Sequence, residues 1–238
     1  DVIGFTTGAA TGAIVQIVLF GSDPLAIAAM SMASGIAVAG LVLTLSRCAG
    51  RAEGTRLVLV GIGVAATLSG INSFFLVMGD LDQSIAAQLW LAGSLNTRTW
   101  AHVIPAAAGF AALAPLVVIL SRPLALFGFG EDKAASLGVA VERTRLIAVL
   151  AAVGMTAIAT ATAGPIGFIA LAAPQLARRL SGSAPIPFGA SALMGAVLLM
   201  AADLIGQRAP QGLSLPVGQI TGILGGAYLL WIVTRRPK

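Results

Sequence analysis

The chain has 238 residues, of which 58% are hydrophobic and 10% charged, and its mean hydropathy is +0.97. Water-soluble domains carry about a quarter charged residues, so this chain lacks the polar surface to cover a globule in water, which excludes an ordinary soluble domain. The formal charge of +5 does not point to nucleic acid, because the basic residues are spread between apolar runs without interleaved aromatics.

The sequence opens on Asp1 with no basic region, short apolar core and cleavage site, so no signal peptide is expected and the sequence reads as a partial or processed chain. A helix needs about 20 mostly apolar residues to cross the hydrocarbon core. In chain order, eight stretches meet or approach that length: 4–21, 24–46, 56–78, 101–121, 145–163, 165–180, 189–206 and 216–234. The expected fold is all-α, a polytopic membrane helix bundle forming a single domain over 1–238.

The connections alternate in charge. One set holds Arg47, Arg51 and Arg56, then Arg122, Lys133, Arg143 and Arg145, then Arg178 and Arg179, then Arg235, Arg236 and Lys238; the other holds only Arg98 and Arg208. Basic loops stay in the cytoplasm, which places the first set inside. A missed or invented span would scramble this alternation. Cys48 is the one cysteine, so there is no disulfide framework; it reads as a small buried or interfacial hydrophobe.

Gly4, Gly8 and Gly12 recur every fourth residue, and so do Gly218, Gly222 and Gly226. That spacing puts each triple on one helix face, where glycine lets a neighbouring backbone come close.

Chemistry of its own is hard to find in this chain. No lysine follows a phosphate-cradling glycine loop. His102, the one histidine, lies at the outer mouth of a span beside Trp100 and reads as an interfacial polar residue. Asp203 is the one acid well inside a span, which excludes an aspartate pair and gives thin support to proton coupling. It is expected to partner Arg208 or a neighbouring helix end, with an ion site as the alternative. The chain therefore reads as a membrane pathway driven from elsewhere. The cytoplasmic stretch 122–145 is too long for a tight turn and contains "EDKAASLG", a short helix with acids at its start and Gly138 at its stop. Such a helix is something a soluble motor can grip; a solvated connector is the alternative. "AGPIGFIALAAPQLARR", 163–179, is broken by two glycines and two prolines and closes on two arginines. Broken backbone is tolerated in a bilayer only inside protein or beside a water-filled path.

Several stretches carry a family resemblance, in order and over nearly the whole chain: "IGFTTGAATGA" at the start, "LWLAGSLNTRTW" at 89–100, "ALFGFGEDKAASLGV" at 125–139, "GPIGFIALAAPQLARRLSG" at 164–182, "GAVLLMAAD" at 195–203 and "LPVGQITGILGG" at 215–226. In these the chain resembles the FecCD-like permease subunits of type II ABC importers for ferric siderophores, haem and cobalamin. The resemblance implies a ten-helix permease of the bacterial cell membrane, of which the eight spans would be the third to tenth. It implies a dimer with a second permease copy or paralogue, two ATPase subunits below and a periplasmic or lipid-anchored binding protein above. The permease itself would hold no cofactor, ATP being bound by the ATPase.

The resemblance also implies site residues. Gly130, Glu131, Asp132, Lys133, Ala134, Ser136, Leu137 and Gly138 would form the ATPase-coupling segment, within coupling helices over 128–139. Pro174, Gln175, Arg178 and Arg179 would lie at the cytoplasmic gate, with Pro174 kinking its helix. Residues 89–100 would form an outer re-entrant helix and the start of the next span, with Trp90 and Trp100 at headgroup depth. Arg98, Gln207 and Arg208 would face the docked binding protein. Four positions depart from the family pattern: Gln175 replaces histidine, Gln207 replaces an arginine now shifted to Arg208, Ser214 replaces glutamate, and "GGAYLL" lacks a proline. Such changes suit a divergent paralogue, half of a heterodimer or half of a fused double permease. The expected function is import of a metal chelate, ferric siderophore first and haem or cobalamin next. An ion-coupled secondary transporter and a non-transporting scaffold are the rival classes.

Overall fold

The computed structural model describes residues 4–48, 51–52, 54–96, 98–182, 187–208 and 215–234. Ser214, Arg235, Arg236 and Lys238 lie outside them. The elements run α1 (Phe5–Val15, prolonged by a π-helical turn Gln16–Phe20), α2 (Pro24–Ser46), α3 (Gly54–Met78), α4 (Leu81–Leu91), α5 (Trp100–Leu126, followed by a 3-10 turn Phe127–Phe129), α6 (Glu131–Ser136), α7 (Val141–Ala163), α8 (Ile169–Ser181), α9 (Phe188–Gln207) and α10 (Val217–Thr234). Between α2 and α3, Arg47–Cys48 pairs antiparallel with Arg51–Ala52.

α1 is the innermost helix, and its small residues explain why. A side-chain carbon on Gly8 would fall 2.6 Å from Val38 Cβ, and one on Gly12 only 2.4 Å from the Met30 carbonyl oxygen, so α2 rests almost directly on the α1 backbone. Ser34 Oγ donates across this contact to the Gly8 carbonyl at 2.7 Å. Lipid tails are as apolar as leucine, so helices in a bilayer associate through such close packing and cross-helix hydrogen bonds. Phe5, Ala9, Ala39, Val153 and Ala157 bury the meeting of α1, α2 and α7. A second cluster, Ala13, Ile14, Ile17, Val18, Ile27 and Ala87, lies under α4. α8, α9 and α10 form a further group, with Ala202, Val217 and Ile220 buried.

Among the described residues, five helices are long and apolar enough to cross a membrane: Pro24–Ser46, Arg56–Met78, Trp100–Phe129, Val141–Ala163 and Phe188–Gln207. They coincide with five of the expected spans. The expected first span is a shorter apolar helix, Phe5–Phe20, and the last is α10. The expected span 165–180 is corrected: helix occupies only 169–181. Its 13 residues reach about 20 Å against a core of about 30 Å, because the backbone from Gly164 to Phe168 is not helical. α8 is also amphipathic, with Gln175, Arg178 and Arg179 set against apolar Ile169, Ala173 and Ala177.

The short helix expected at the outer face is a second correction. It lies at 81–91, ahead of the expected 89–100, and 92–99 is not helical among its described residues. Its start is set by a reciprocal cap: the Asp80 backbone N–H donates to Gln83 Oε1 at 3.2 Å. Ser84 Oγ donates to the Leu76 carbonyl at 2.7 Å and folds α4 back over the end of α3. Trp90 is half-buried on the cluster beneath α4, whereas Trp100 is exposed.

Candidate functional site

The end expected to face the cytoplasm is built around α6. Gly130, at φ 102, turns the chain out of the 3-10 segment, and Glu131 and Asp132 occupy the first helical turn, where negative charge offsets the helix dipole. The helix closes on a Schellman motif: the Val139 N–H donates to the Ala134 carbonyl at 3.1 Å and the Gly138 N–H to Ala135 at 3.0 Å, with Gly138 at φ 86. Ala134 is fully buried, while Glu131, Asp132, Lys133, Ser136, Leu137 and Gly138 are exposed. α6 is thus anchored on one face and open on the other. Glu131 forms an ion pair with Arg145 in the second turn of α7.

α8 carries the other cytoplasmic candidates. Pro174 lies inside the helix, where it supplies no N–H to the Ala170 carbonyl. Pro174 and Gln175 are half-buried; Arg178 and Arg179 are exposed in the last turn, favourably placed at the negative end of the helix dipole.

The opposite end is a backbone junction of three segments. The Ser94 N–H donates to the Ala163 carbonyl at 2.9 Å, and the Gly218 N–H to the Gly93 carbonyl at 3.1 Å. A side-chain carbon on Gly164 would fall 2.7 Å from the Trp90 carbonyl oxygen, and one on Gly93 2.5 Å from that of Pro165. Both residues also have positive φ, 76° and 63°, so only glycine fits. Leu95 packs on the cluster of Ala202, Val217 and Ile220, which sets the loop after α4 beside the outer ends of α9 and α10.

Phe168, just below this junction, was not singled out by sequence. It is the one non-glycine residue of positive φ among those described, at 67°. The Ile169 N–H bonds back to the Gly167 carbonyl at 2.8 Å, a tight three-residue turn of the rare strained hand. Its side chain fills the space over Gly225, where an added carbon would stand 2.2 Å from Phe168 Cβ. On α10 the close approaches are therefore at Gly218 and Gly225; a carbon added at Gly222 or Gly226 meets nothing within 4 Å among the described residues. Gly4 is the positive-φ residue ahead of α1 and faces the Gly61 carbonyl.

The outer polar residues are spread out. Arg98 Nε donates to the Ser94 carbonyl at 3.3 Å, and partial burial lowers its pKa from the ordinary arginine value. Asp203 accepts from Gln207 Nε2 at 2.7 Å, which corrects the expected pairing with Arg208. Gln207 is four residues on and shares the face of Asp203, whereas Arg208 is five on and has rotated off it. His102 Nδ1 lies 3.3 Å from Thr99 Oγ1 at the start of α5. With Asp23 and Thr162 it lines an otherwise apolar cleft of about 690 Å³ between α2, α5 and α7. Among the described residues no three His, Cys, Asp or Glu side chains are grouped to hold a metal.

One end thus offers an anchored, exposed helix and the other a glycine-lined junction, with apolar spans between. The sequence profile of the FecCD transport family matches residues 1–235. The chain belongs to the FecCD transport family. It is 45% identical over 238 residues to the ferric enterobactin transport system permease protein FepG of Escherichia coli (strain K12), spanning 100% of this chain and 72% of FepG. It is 33% identical over 236 residues to the Fe(3+)-citrate import system permease protein YfmE of Bacillus subtilis (strain 168), 98% of this chain and 70% of YfmE. The hemin transport system permease protein HmuU of Yersinia pestis is 31% identical over 242 residues, 99% of this chain and 72% of HmuU. A solved inward-facing structure of a transporter assigned to the metal-chelate ABC type superposes with a TM-score of 0.88 at 23% identity, over 99% of this chain and 76% of that one. This FecCD chain therefore has the membrane permease fold and is a multi-pass membrane protein.

Proposed function

We propose that this FecCD chain is the permease subunit of a bacterial ABC importer that carries a ferric siderophore from a binding protein into the cytoplasm. The observation that carries the cargo class is the 45% identity to the ferric enterobactin permease over the whole chain, against 31% to the hemin permease. In this reading residues 1–238 are one permease domain in the bacterial cell membrane. It catalyses no reaction and holds no cofactor, and ATP is bound by a separate ATPase. The ATPase grips the exposed face of α6, from Gly130 to Gly138. Pro174, Gln175, Arg178 and Arg179 sit at the cytoplasmic mouth, and Arg98, Gln207 and Arg208 face the binding protein. A second permease copy or paralogue covers the exposed apolar faces of the spans. The scarcity of charge along those spans suits a large chelate that must pass without sticking.

The test is reconstitution of the full-length protein with its ATPase and binding protein in proteoliposomes. Uptake of ferric enterobactin is expected to need ATP inside the ATPase-facing compartment and to survive an uncoupler. Uptake that ignores ATP and collapses with the uncoupler would establish an ion-coupled carrier instead.

A further inference from the structure

We propose that α7 is a stiff rod joining α6 to the outer segment formed by α4 and its following loop, with Gly93 and Gly164 as the positioning residues at its far end. The inference rests on the reading of α6 as the ATPase contact. At the near end, Arg145 of α7 holds Glu131 of α6, and α6 packs against α5 and α7. At the far end, the last carbonyl of α7, Ala163, accepts the Ser94 N–H at 2.9 Å, and Gly164 and Gly93 interlock with the carbonyls of Trp90 and Pro165. These contacts are backbone on backbone, so they leave no flexible side chain to absorb motion.

Between the two ends α7 is unbroken helix from Val141 to Ala163, a reach of about 35 Å. The competing route is α5, which also runs from α6 to the outer face. Pro105, Pro115 and Pro123 interrupt its hydrogen-bond ladder and make it the softer element. A push on α6 thus reaches α4 through α7, and the outer segment moves with α7 as one body.

The experiment uses the full-length protein in complex with its ATPase, with Cys48→Ser as background. Spin labels at Asp82 on α4 and Arg143 on α7 are expected to keep their distance between nucleotide-free and ATP-bound states. A change above about 5 Å, one helical turn, overturns the proposal. Cross-linking S94C to A163C is expected to leave ATP-driven uptake intact, because those residues do not part; a block of uptake with hydrolysis persisting overturns it. G164A, which drives a methyl into the Trp90 carbonyl, is expected to lower uptake per ATP on the order of tenfold with the ATPase still bound. Should G164A fail to fold, the label pair and the cross-link decide alone. Loss of ATPase co-purification from the unmodified protein is a different failure, and it would sink the α6 assignment.

Discussion

Gly225 and Gly226 are neighbours in sequence and opposites in structure. Phe168 Cβ sits where a Gly225 side chain would go, and Cβ atoms cannot swing away as side-chain tips do. Gly225→Ala is expected to destabilise by about 1–3 kcal/mol, the usual cost of overpacking. Gly226→Ala meets nothing within 4 Å among the described residues and gains helix propensity, so it should be neutral or stabilising by up to about 1 kcal/mol. Thermal unfolding of both variants in one detergent checks the pair; equal midpoints would refute the Phe168–Gly225 contact. The spacing of four that groups Gly218, Gly222 and Gly226 is real, but it says only that they share a face. Each residue turns the helix by 100°, and which face meets a neighbour is set by how α10 docks on α8 and α9. Asp203 bonds Gln207 at a spacing of four, a local relation present in the sequence, although the sequence reading expects Arg208 or a neighbouring helix end as its partner.

At the scale of elements, α6 is legible because the signals that bound it are local: acids in the first turn and glycine at the stop. Replacing 131–138 by a Gly/Ser linker in the full-length protein is expected to abolish both ATPase co-purification and uptake. Gly138→Val should weaken co-purification without shifting the unfolding midpoint of the spans, since a β-branched residue strains the φ of 86° only at the end of α6. The exposed Glu131–Arg145 pair adds little to stability, as surface pairs are worth about 0–1 kcal/mol; its role is orientation. α4 was misplaced for a physical reason. The family resemblance implies the helix at 89–100, while the cap formed by Asp80 and Gln83 starts it eight residues earlier and the positive φ of Gly93 ends it. α8 was overextended because apolar composition does not reveal a tight turn at Phe168.

For the whole molecule, the topology predicts which ends react with impermeant reagents. In a Cys48→Ser background, K133C should label with a membrane-impermeant maleimide only after the cells are permeabilised, and R208C should label in intact cells. Labelling of K133C from outside would invert the arrangement and remove the basis for a cytoplasmic motor at α6.

Residue content alone determined that this chain lives in a bilayer and where its long spans fall, and it carries the expectation of which loops face the cytoplasm. Those properties follow from the thickness of the hydrocarbon core and the cost of moving charge across it, and both act on each segment separately. Tertiary structure decided which glycines touch a neighbour, why Phe168 is strained, and how α7 links α6 to the outer junction. Those depend on how helices rotate and dock against one another, and the energy of such packing belongs to pairs of distant segments rather than to either one.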